Sequence, residues 1–511
     1  MSLDLSVPGD LLRALAPELV LAVAGMAVLL VAAWRHRTAG DTRTVGWLGL
    51  VGLAAAAAAA GWLWWNGARA NGAPAMIAVD DFRVVVDWLV LGATAVTVVL
   101  SFEYLERERL LVPEYYVLLL FATLGMMLMA GGDDLMVVFL GLELMSVSVY
   151  VLAGINRRSP AAAEAALKYF LLGAFASGFL LYGIALVYGA TASTNLTQIG
   201  IQVRTLGLAN NPMLLIGLGL LLVGFGFKVA AVPFHMWAPD VYDGAPTPVT
   251  GYMATAVKAA AFAALYRVLT EAFAGVPAWH EIVSGLAVAT MVAGNVIALA
   301  QRTVKRMLAY SSVAHAGYLL VAVAVGGEAG AGALLVYLVA YALTTLAAFG
   351  LLAASGRDGE RDVRIDDLAG LGQRRPWLAF ALAVCMLSLL GFPGTAGFIG
   401  KWYILVAAAD AGRLFLATVL VLTSVVSAGY YLPVIMAMYM KPEPFEQAHA
   451  GVRLGRLGAV AVAVSVVGVL FFGVRPNRLL DLARTTGEGL HAVPAASAAA
   501  PASSASPAIG R

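Results

Sequence analysis

The chain has 511 residues, of which 61% are hydrophobic and 12% are charged, and its formal net charge at pH 7 is +2. Soluble globular proteins carry about 25% charged residues, so the composition excludes a soluble domain and indicates a membrane protein with several spans. A single cysteine, Cys385, excludes an internal disulfide framework and a cysteine-ligated iron–sulfur cluster. The GxxxxGK[ST] pattern of nucleotide-hydrolysing proteins does not occur in the sequence.

Apolar stretches of about 20 residues predict membrane-spanning helices along nearly the whole chain. The first stretch ends at Arg35 without a small-residue cleavage site, so we predict that it is an uncleaved span. The fold class is therefore an all-α integral membrane protein with about fourteen spans: 15–34, 45–65, 84–103, 114–131, 134–154, 163–189, 212–231, 243–270, 279–300, 303–324, 330–354, 377–408, 412–440 and 456–474.

The basic residues of the loops predict how the chain is oriented. Lys and Arg are concentrated in the loops that follow odd-numbered spans, as in the pairs Arg157–Arg158 and Arg374–Arg375. Loops rich in Lys and Arg face the cytoplasm. The sequence therefore predicts that both termini are on the periplasmic side.

Two of the predicted spans contain helix-breaking residues beside a lysine. The stretch GFGFKVAAVPFHMW places Pro233 five residues after Lys228, and the stretch GFPGTAGFIGKWY places a proline and several glycines before Lys401. Irregular backbone at membrane depth is tolerated only where it is buried in protein or lines a cavity, and paired interrupted spans mark an ion site built from an internal repeat.

The interrupted spans are the seventh and the twelfth, and this spacing predicts a repeat. They are five spans apart, and because five is odd the second unit must run through the membrane upside down relative to the first. Spans 4–8 and 9–13 are thus predicted to be two inverted five-helix repeats. The predicted domains are an N-terminal three-helix segment (1–112), the first repeat (113–271), the second repeat (272–441), a C-terminal helix (442–486) and a disordered Ala/Ser/Pro-rich tail (487–511).

Ionisable residues within the spans predict a proton path. A lysine at the centre of a span costs about 2.5–3.5 kcal/mol on insertion scales, so each such residue needs a reason. A lysine in a partly dehydrated site can gain and lose a proton, and a nearby carboxylate helps it to retain that proton. We therefore predict a lateral proton relay along the membrane midplane: Glu143, Lys228, Lys258, His315 and Lys401.

Three further residues are secondary candidates for this relay, and each has an ordinary structural alternative. Lys168 lies near the start of its span, where a long side chain can reach the interface instead. Glu164 lies at a helix start, where the helix dipole favours a carboxylate. His235 is close to Lys228, but Pro233 lies between them. Structural alternatives are also open for Glu143, as part of an ion pair, and for His315, as a hydrogen-bonded packing histidine.

The long stretch GFGFKVAAVPFHMWAPDVYDGAPTPVTGYMATAVKAAAF resembles the signature of the antiporter-like subunits of respiratory complex I and of multisubunit cation/proton antiporters. The resemblance covers spans 4–13. Within that family, the span number and the stretch LSLLGFPGTAGFIGKWYIL resemble the subunit N group of bacterial NADH:quinone oxidoreductase, whereas GFPG stands where a pattern such as GIPP is expected.

The resemblance implies positions and partners for the relay. It implies that Glu143 is the glutamate of span five, that Lys228 is the lysine of the broken span seven and that Lys258 is a connecting lysine. It implies that Lys401 exchanges protons with the periplasm, and it matches Lys168, His235 and His315 to family positions.

The resemblance to complex I subunits further implies an enzyme subunit without its own redox centre or bound cofactor. FMN, iron–sulfur clusters and quinone would belong to partner subunits in a bacterial inner membrane, where neighbouring antiporter-like and small membrane subunits surround this one. Two alternatives are open: a subunit of a sodium/proton antiporter, and a structural membrane subunit that does not pump.

Overall fold

The computed structural model describes residues 1–34, 38–70, 75–110, 112–355, 363–442 and 454–491. These residues form helices almost throughout, apart from two parallel two-residue strands, β1 (Ser2–Leu3) and β2 (Arg69–Ala70). The first eleven helices in the described ranges are α1 (Pro8–Ala14), α2 (Ala16–Trp34), α3 (Ala39–Trp65), α4 (Asp81–Arg107), α5 (Glu114–Gly131), α6 (Leu135–Ala153), α7 (Pro160–Thr191), α8 (Leu196–Thr205), α9 (Pro212–Val229), α10 (Trp237–Gly244) and α11 (Thr247–Tyr252).

The remaining helices continue the same pattern toward the C-terminus. Short 3₁₀ turns occupy Leu208–Asn210 and Ile365–Leu368, and π-helical segments occupy Met253–Val257 and Val268–Ala272. The α-helices are α12 (Lys258–Arg267), α13 (Ala278–Leu299), α14 (Val304–Val325), α15 (Gly327–Ser355), α16 (Leu371–Arg374), α17 (Pro376–Leu390), α18 (Ala396–Asp410), α19 (Leu414–Met440), α20 (Arg456–Val474) and α21 (Asn477–His491).

Thirteen helices in the described ranges are long and apolar enough to cross a membrane. They match thirteen of the fourteen predicted spans, and the remaining one, span twelve, is divided into α17 and α18. Span seven ends as α9 at Val229, and the short helix α10 follows after a break that contains Pro233. Span eight is a continuous helix from Thr247 to Ala272 that includes two π-helical segments. The prediction of an all-α membrane fold with interrupted spans seven and twelve is therefore confirmed.

Two features differ from the sequence prediction at the C-terminus. The predicted segment 442–486 contains two helices, α20 and α21, where one was expected. The predicted tail from residue 487 begins inside α21, which continues to His491, and its remainder from 492 lies outside the described residues. Helix α21 packs against α15 and α4, and its Leu479 and Ala483 are buried, so tertiary packing stabilises this short second helix.

The centre of the molecule is occupied by helices that are buried on all sides. About nine-tenths of the most apolar part of α14 and of α15 is buried inside the protein, and the corresponding part of the span 247–272 is completely buried. A helix that is apolar all round requires such a position. The span 247–272 and α14 carry Lys258 and His315, so the fold places these two relay candidates inside the bundle.

Close helix pairs recur in both predicted repeats. A Cβ atom added to Gly125 of α5 would lie 2.5 Å from the Met145 backbone nitrogen of α6, and one added to Gly294 of α13 would lie 2.5 Å from the Ala314 backbone nitrogen of α14. Small residues that let backbones approach are the usual basis of helix packing in membranes. Spans 4 and 5 thus pack as spans 9 and 10 do, while the inverted relation between the two units stays a prediction.

We expect Gly125→Ala to destabilise the protein, because both the Met145 nitrogen and the Gly141 oxygen would be within 2.6 Å of the new methyl group. Overpacking of this kind costs about 1–3 kcal/mol. The matched control is Gly219→Ala on α9, where no neighbouring atom lies within 4 Å. Thermal unfolding in detergent should show a lower midpoint for the first variant only, and equal midpoints for both would contradict the packing described here.

Candidate functional site

Lys228 lies in the last turn of α9, at the first helix break, and its side chain is buried in aromatic surroundings. The residue is 3% exposed. Its Nζ donates a hydrogen bond to the Tyr150 hydroxyl at 3.3 Å and lies 5.1, 5.3 and 5.7 Å from the ring centres of Tyr150, Tyr169 and Phe227. Aromatic faces attract a cation when it is removed from water. The ammonium therefore has one hydroxyl partner and otherwise only ring faces.

Glu143 is the carboxylate associated with this lysine. It lies half-buried in the middle of α6, accepts a hydrogen bond from the Ser177 hydroxyl of α7, and interacts electrostatically with Lys228. Glu143 and Tyr150 are seven residues apart and so share one face of α6. The structure thus places Glu143 within electrostatic range of Lys228 and adds Tyr150 beside the lysine.

The broken backbone between α9 and α10 is held by side chains and by other helices. Helix α9 ends in a left-handed Ala230, whose peptide nitrogen bonds back into the helix. The indole of Trp237 donates to the Phe227 carbonyl at 2.9 Å, and the Thr290 hydroxyl of α13 accepts the Val232 N–H at 3.0 Å. Each freed backbone group named here has a partner inside the protein, as membrane depth requires.

An aromatic block connects the surroundings of Lys228 to those of Lys258. Tyr169 is stacked on Trp237 with ring centres 4.3 Å apart, and Trp237 lies edge-on to Tyr242 at 5.8 Å. Tyr242 in turn interacts with Ser312 and Tyr341, which are neighbours of Lys258. The two lysines are therefore separated by packed rings whose only polar tips are hydroxyl and indole groups.

Lys258 is placed by the π-helical segment that precedes it. It follows directly after Met253–Val257 and is 1% exposed. Its Nζ donates to the carbonyl of Ser312 at 2.6 Å and to the hydroxyl of the same residue. π-Helical insertions are frequent at functional sites because they re-aim side chains. Here the result is an ammonium held by α14, the helix that also carries His315.

His315 is enclosed by tyrosines. Its Nε2 lies 3.0 Å from the Tyr431 hydroxyl of α19, and its Nδ1 contacts the Tyr337 hydroxyl of α15. The ring centres of Tyr341 and Tyr318 lie 5.0 and 5.4 Å from the imidazole. Both ring nitrogens therefore have hydroxyl partners, which can accept or donate according to the tautomer.

Lys401 lies in the second turn of α18, beyond the second helix break. Its Nζ donates to the Leu390 carbonyl at 3.0 Å and lies 4.6 Å from the centre of the Tyr318 ring. Leu390 is the last residue of α17, so the ammonium satisfies a carbonyl at the negative end of the first half-helix. Tyr318 thus lies between Lys401 and His315.

The secondary candidates lie elsewhere. Lys168 Nζ is 2.7 Å from carboxylate oxygens of both Glu164 and Asp240, and Asp240 is paired with Arg306 at 3.1 Å. The Lys168 and Glu164 side chains are 41% and 65% exposed within the chain, so the structure places them in a partly exposed ion network at helix ends. His235 lies in the first helix break, and its Nδ1 is buried without a hydrogen-bond partner.

Sequence reasoning missed the hydroxyl-bearing residues that surround the charged groups. The principal ones are Tyr150, Ser177, Ser312, Tyr318, Tyr337, Tyr341 and Tyr431. The stretch AYSSVAHAGY has a helical signal, since Ser312, His315 and Tyr318 recur every three residues. The tyrosines of α15 and α19 could be assigned only from the packing of those helices. Within the described ranges, no group of three or more His, Cys, Asp or Glu residues could hold a metal ion.

Comparisons with known proteins assign the chain to a family. Residues 132–427 match the family described as "NADH:quinone oxidoreductase/Mrp antiporter, TM". The chain is 46% identical over 494 residues to NADH-quinone oxidoreductase subunit N of Gemmatimonas aurantiaca, with 94% of each chain covered. It is also 46% identical over 478 residues to the protein of the same name in Trichlorobacter lovleyi, with 93% of this chain and 96% of the relative covered.

Solved structures agree with these relatives. A chain of respiratory complex I from Thermus thermophilus is 39% identical, with a TM-score of 0.77 over 92% of this chain and 99% of that one. A chain of the Mrp complex from Dietzia sp. is 24% identical with a TM-score of 0.82, over 94% of this chain and 98% of that one, and shows a shared fold. The chain therefore belongs to the antiporter-like membrane subunits of this family and, within it, to the subunit N group of NADH-quinone oxidoreductase.

Proposed function

We propose that this chain is a proton-translocating membrane subunit of respiratory complex I in which protons move along the path Glu143, Lys228, Lys258, His315 and Lys401. NADH oxidation and quinone reduction would take place in partner subunits that hold FMN, iron–sulfur clusters and quinone, with no cofactor on this chain. The other membrane subunits of the complex, including antiporter-like and small ones, are the expected partners. The relatives' names and the complex I structure support the assembly.

The observation that best supports the relay is a continuous series of contacts from Lys258 through His315 to Lys401. Lys258 is held by Ser312 and lies 5.8 Å from the Tyr341 ring centre, Tyr341 contacts His315, and Tyr318 packs against both His315 and Lys401. Buried ammonium and imidazole groups linked through hydroxyls can pass a proton along the line, with small shifts or water completing each step.

Glu143 and Lys228 would act as the entry to this path. While the carboxylate is close to the ammonium it stabilises the charged lysine, and when the two separate the dehydrated lysine favours the neutral form. The released proton would then pass to Lys258. Because Glu143 is half-buried within the isolated chain, a neighbouring subunit can influence it directly. Lys168, Glu164 and His235 take no part in the proposed path.

The proposed orientation follows from the distribution of basic loop residues, with both termini in the periplasm of a bacterial inner membrane. Lys401, in the last interrupted span, would then exchange protons with the periplasm. The alternative of a sodium/proton antiporter subunit is favoured only by the shared fold of the Mrp chain. The higher identity to subunit N relatives favours the complex I function.

We expect Lys228→Ala to reduce NADH-driven proton pumping, because the ammonium that carries the proton is removed. The measurement is NADH oxidation with quinone, together with ΔpH, in membrane vesicles at several sodium concentrations. The control is Lys441→Ala, since Lys441 is an exposed partner of Asp366. Undiminished ΔpH in an assembled Lys228→Ala complex would contradict the relay, and loss of sodium/proton exchange alone would favour the antiporter alternative.

Lys258→Ala should have the same effect as Lys228→Ala, because Lys258 is the group that receives the proton from the first half of the chain. The same vesicle assay measures it, with the amount of assembled complex determined by immunoblotting. Lys401→Ala should reduce pumping less, because water can replace a terminal group. An assembled Lys258→Ala complex that pumps normally would remove this residue from the path.

The Tyr431 hydroxyl provides a finer test of the His315 step. Tyr431→Phe removes the O–H that contacts His315 but retains the ring, so ΔpH should decrease while assembly is unchanged. Tyr252→Phe is the matched control, because the buried Tyr252 hydroxyl bonds to Thr123 and to the Leu119 carbonyl and not to the imidazole. Equal pumping in the two variants would show that His315 acts without Tyr431.

A further inference from the structure

A second group of buried charges lies at the opposite side of the helix bundle from the Arg306 network, at the ends of several spans. It is formed by residues of α2, the start of α4, the loop between α5 and α6, and the end of the span 247–272. We call it the outer ionic cluster, and its members are Glu18, Asp80, Arg83, Asp87, Asp133, Arg267 and Glu271.

Two guanidinium groups neutralise only part of the negative charge in this cluster. Arg83 Nη2 lies 2.6 and 2.7 Å from the two carboxylate oxygens of Glu18. Arg267 Nη1 lies 2.8 Å from Asp80 and 2.9 Å from Glu271. The arginines thus have carboxylate partners already, and the cluster still contains Asp87 and Asp133. Burying a surplus of ionised carboxylates is costly, so such groups take up protons instead.

Asp87 is a buried carboxyl group whose nearest cation, Arg83, does not hydrogen-bond to it. Its side chain is 1% exposed, and neither carboxyl oxygen has a hydrogen-bond partner. Arg83 Nε is 3.6 Å away, too far for a hydrogen bond, and is itself buried without one. The charged groups that face Asp87 are Glu18 from α2, Arg83 and Asp80 from α4 and its N-cap, and Arg267 from α12.

Asp133 and Glu271 form a second such position. Their carboxyl groups are within hydrogen-bonding reach of each other, and two carboxyl oxygens can share a hydrogen bond only if one proton lies between them. Burial raises the pKa of Asp133 to about 6. A carboxyl with a raised pKa is protonated below that pH and becomes ionised as the pH rises through it.

A small cleft reaches one side of the cluster. The cleft between the end of α3 and the start of α4 is lined by Trp64, Asp80, Asp81 and Arg83, among others. Asp80 lies between this cleft and Arg267, while Asp87 lies about two turns deeper along α4. Protons could therefore exchange between the cluster and the aqueous phase by way of Asp80.

We propose that the outer ionic cluster is a proton-binding site, separate from the relay, which holds protons on Asp87 and between Asp133 and Glu271. In the orientation proposed above it faces the periplasm, but proton binding by the cluster does not depend on that orientation or on the relay. The ligand is the proton itself, with the arginines fixing the remaining carboxylates.

The test is infrared difference spectroscopy on the assembled complex, comparing wild type with Asp87→Asn at neutral pH. Asparagine resembles a neutral aspartic acid, so we expect normal assembly and the loss of one carbonyl band of a protonated carboxylic acid. The control is Asp366→Asn, which removes an exposed carboxylate paired with Lys441 and should leave the carboxylic-acid bands unchanged. Loss of a carboxylate band from the Asp87→Asn complex, in place of the acid band, would overturn the proposal.

Further variants decide the matter if Asp87→Asn does not assemble. In that case Asp87→Glu, which keeps a carboxyl group, is compared with wild type: we expect the acid band of Asp87 to shift, and an assembled Asp87→Glu complex whose acid bands are all unchanged would overturn the proposal for Asp87. Glu271→Gln tests the second position independently. It should remove an acid band that in wild type decreases as the pH rises, and a wild-type spectrum without such a pH-dependent band would overturn proton binding by the pair.

Discussion

A charged group inside a bilayer has to find its partners within the protein, and this constraint governs the centre of the structure. The lysines of the two interrupted spans meet it in different ways. Lys401 satisfies the carbonyl of Leu390, which the helix break itself leaves free, whereas Lys228 is surrounded by ring faces and one tyrosine hydroxyl. Irregular backbone at a helix break needs polar partners, and a buried ammonium group needs a site that excludes lipid. A lysine placed beside a helix break meets both requirements.

The two halves of the buried path differ in polarity. Around Lys228 the neighbours are mainly aromatic, with a single carboxylate, Glu143, at the edge. From Lys258 onward the path is lined by hydroxyls, and His315 has one on each ring nitrogen. Lys258 has two hydrogen-bond acceptors from Ser312, whereas Lys228 and Lys401 each have one hydrogen-bond partner and at least one ring face. The difference in polarity is therefore greatest around Lys258 and His315.

Charged residues at the ends of the membrane spans are arranged differently from those near the middle of the spans. The path described above uses isolated basic groups buried singly among hydroxyls and rings. The outer ionic cluster instead concentrates carboxyl groups about Arg83 and Arg267, with bidentate and branched ion pairs. Burying charge is costly in both places. Along the path the basic groups are kept apart from one another, whereas in the outer ionic cluster carboxylates are paired with arginines and the surplus carboxyl groups bind protons.

The sequence by itself determined the membrane class, the spans, the interrupted positions and the intramembrane residues Glu143, Lys228, Lys258, His315 and Lys401, because hydropathy, Gly/Pro breaks and misplaced charges are local signals. It did not predict α21 as a separate helix, since this short amphipathic segment is no long apolar run and its Leu479 and Ala483 are buried only by packing against other helices. Nor did it indicate the ion pair between Lys168 and Asp240, because only the approach of α10 brings Asp240 to that lysine. The tyrosines about His315 and the surplus carboxyl of Asp87 come from helices far apart in the chain, and their meeting was decided by tertiary packing alone, since no local pattern encodes which faces of distant helices touch.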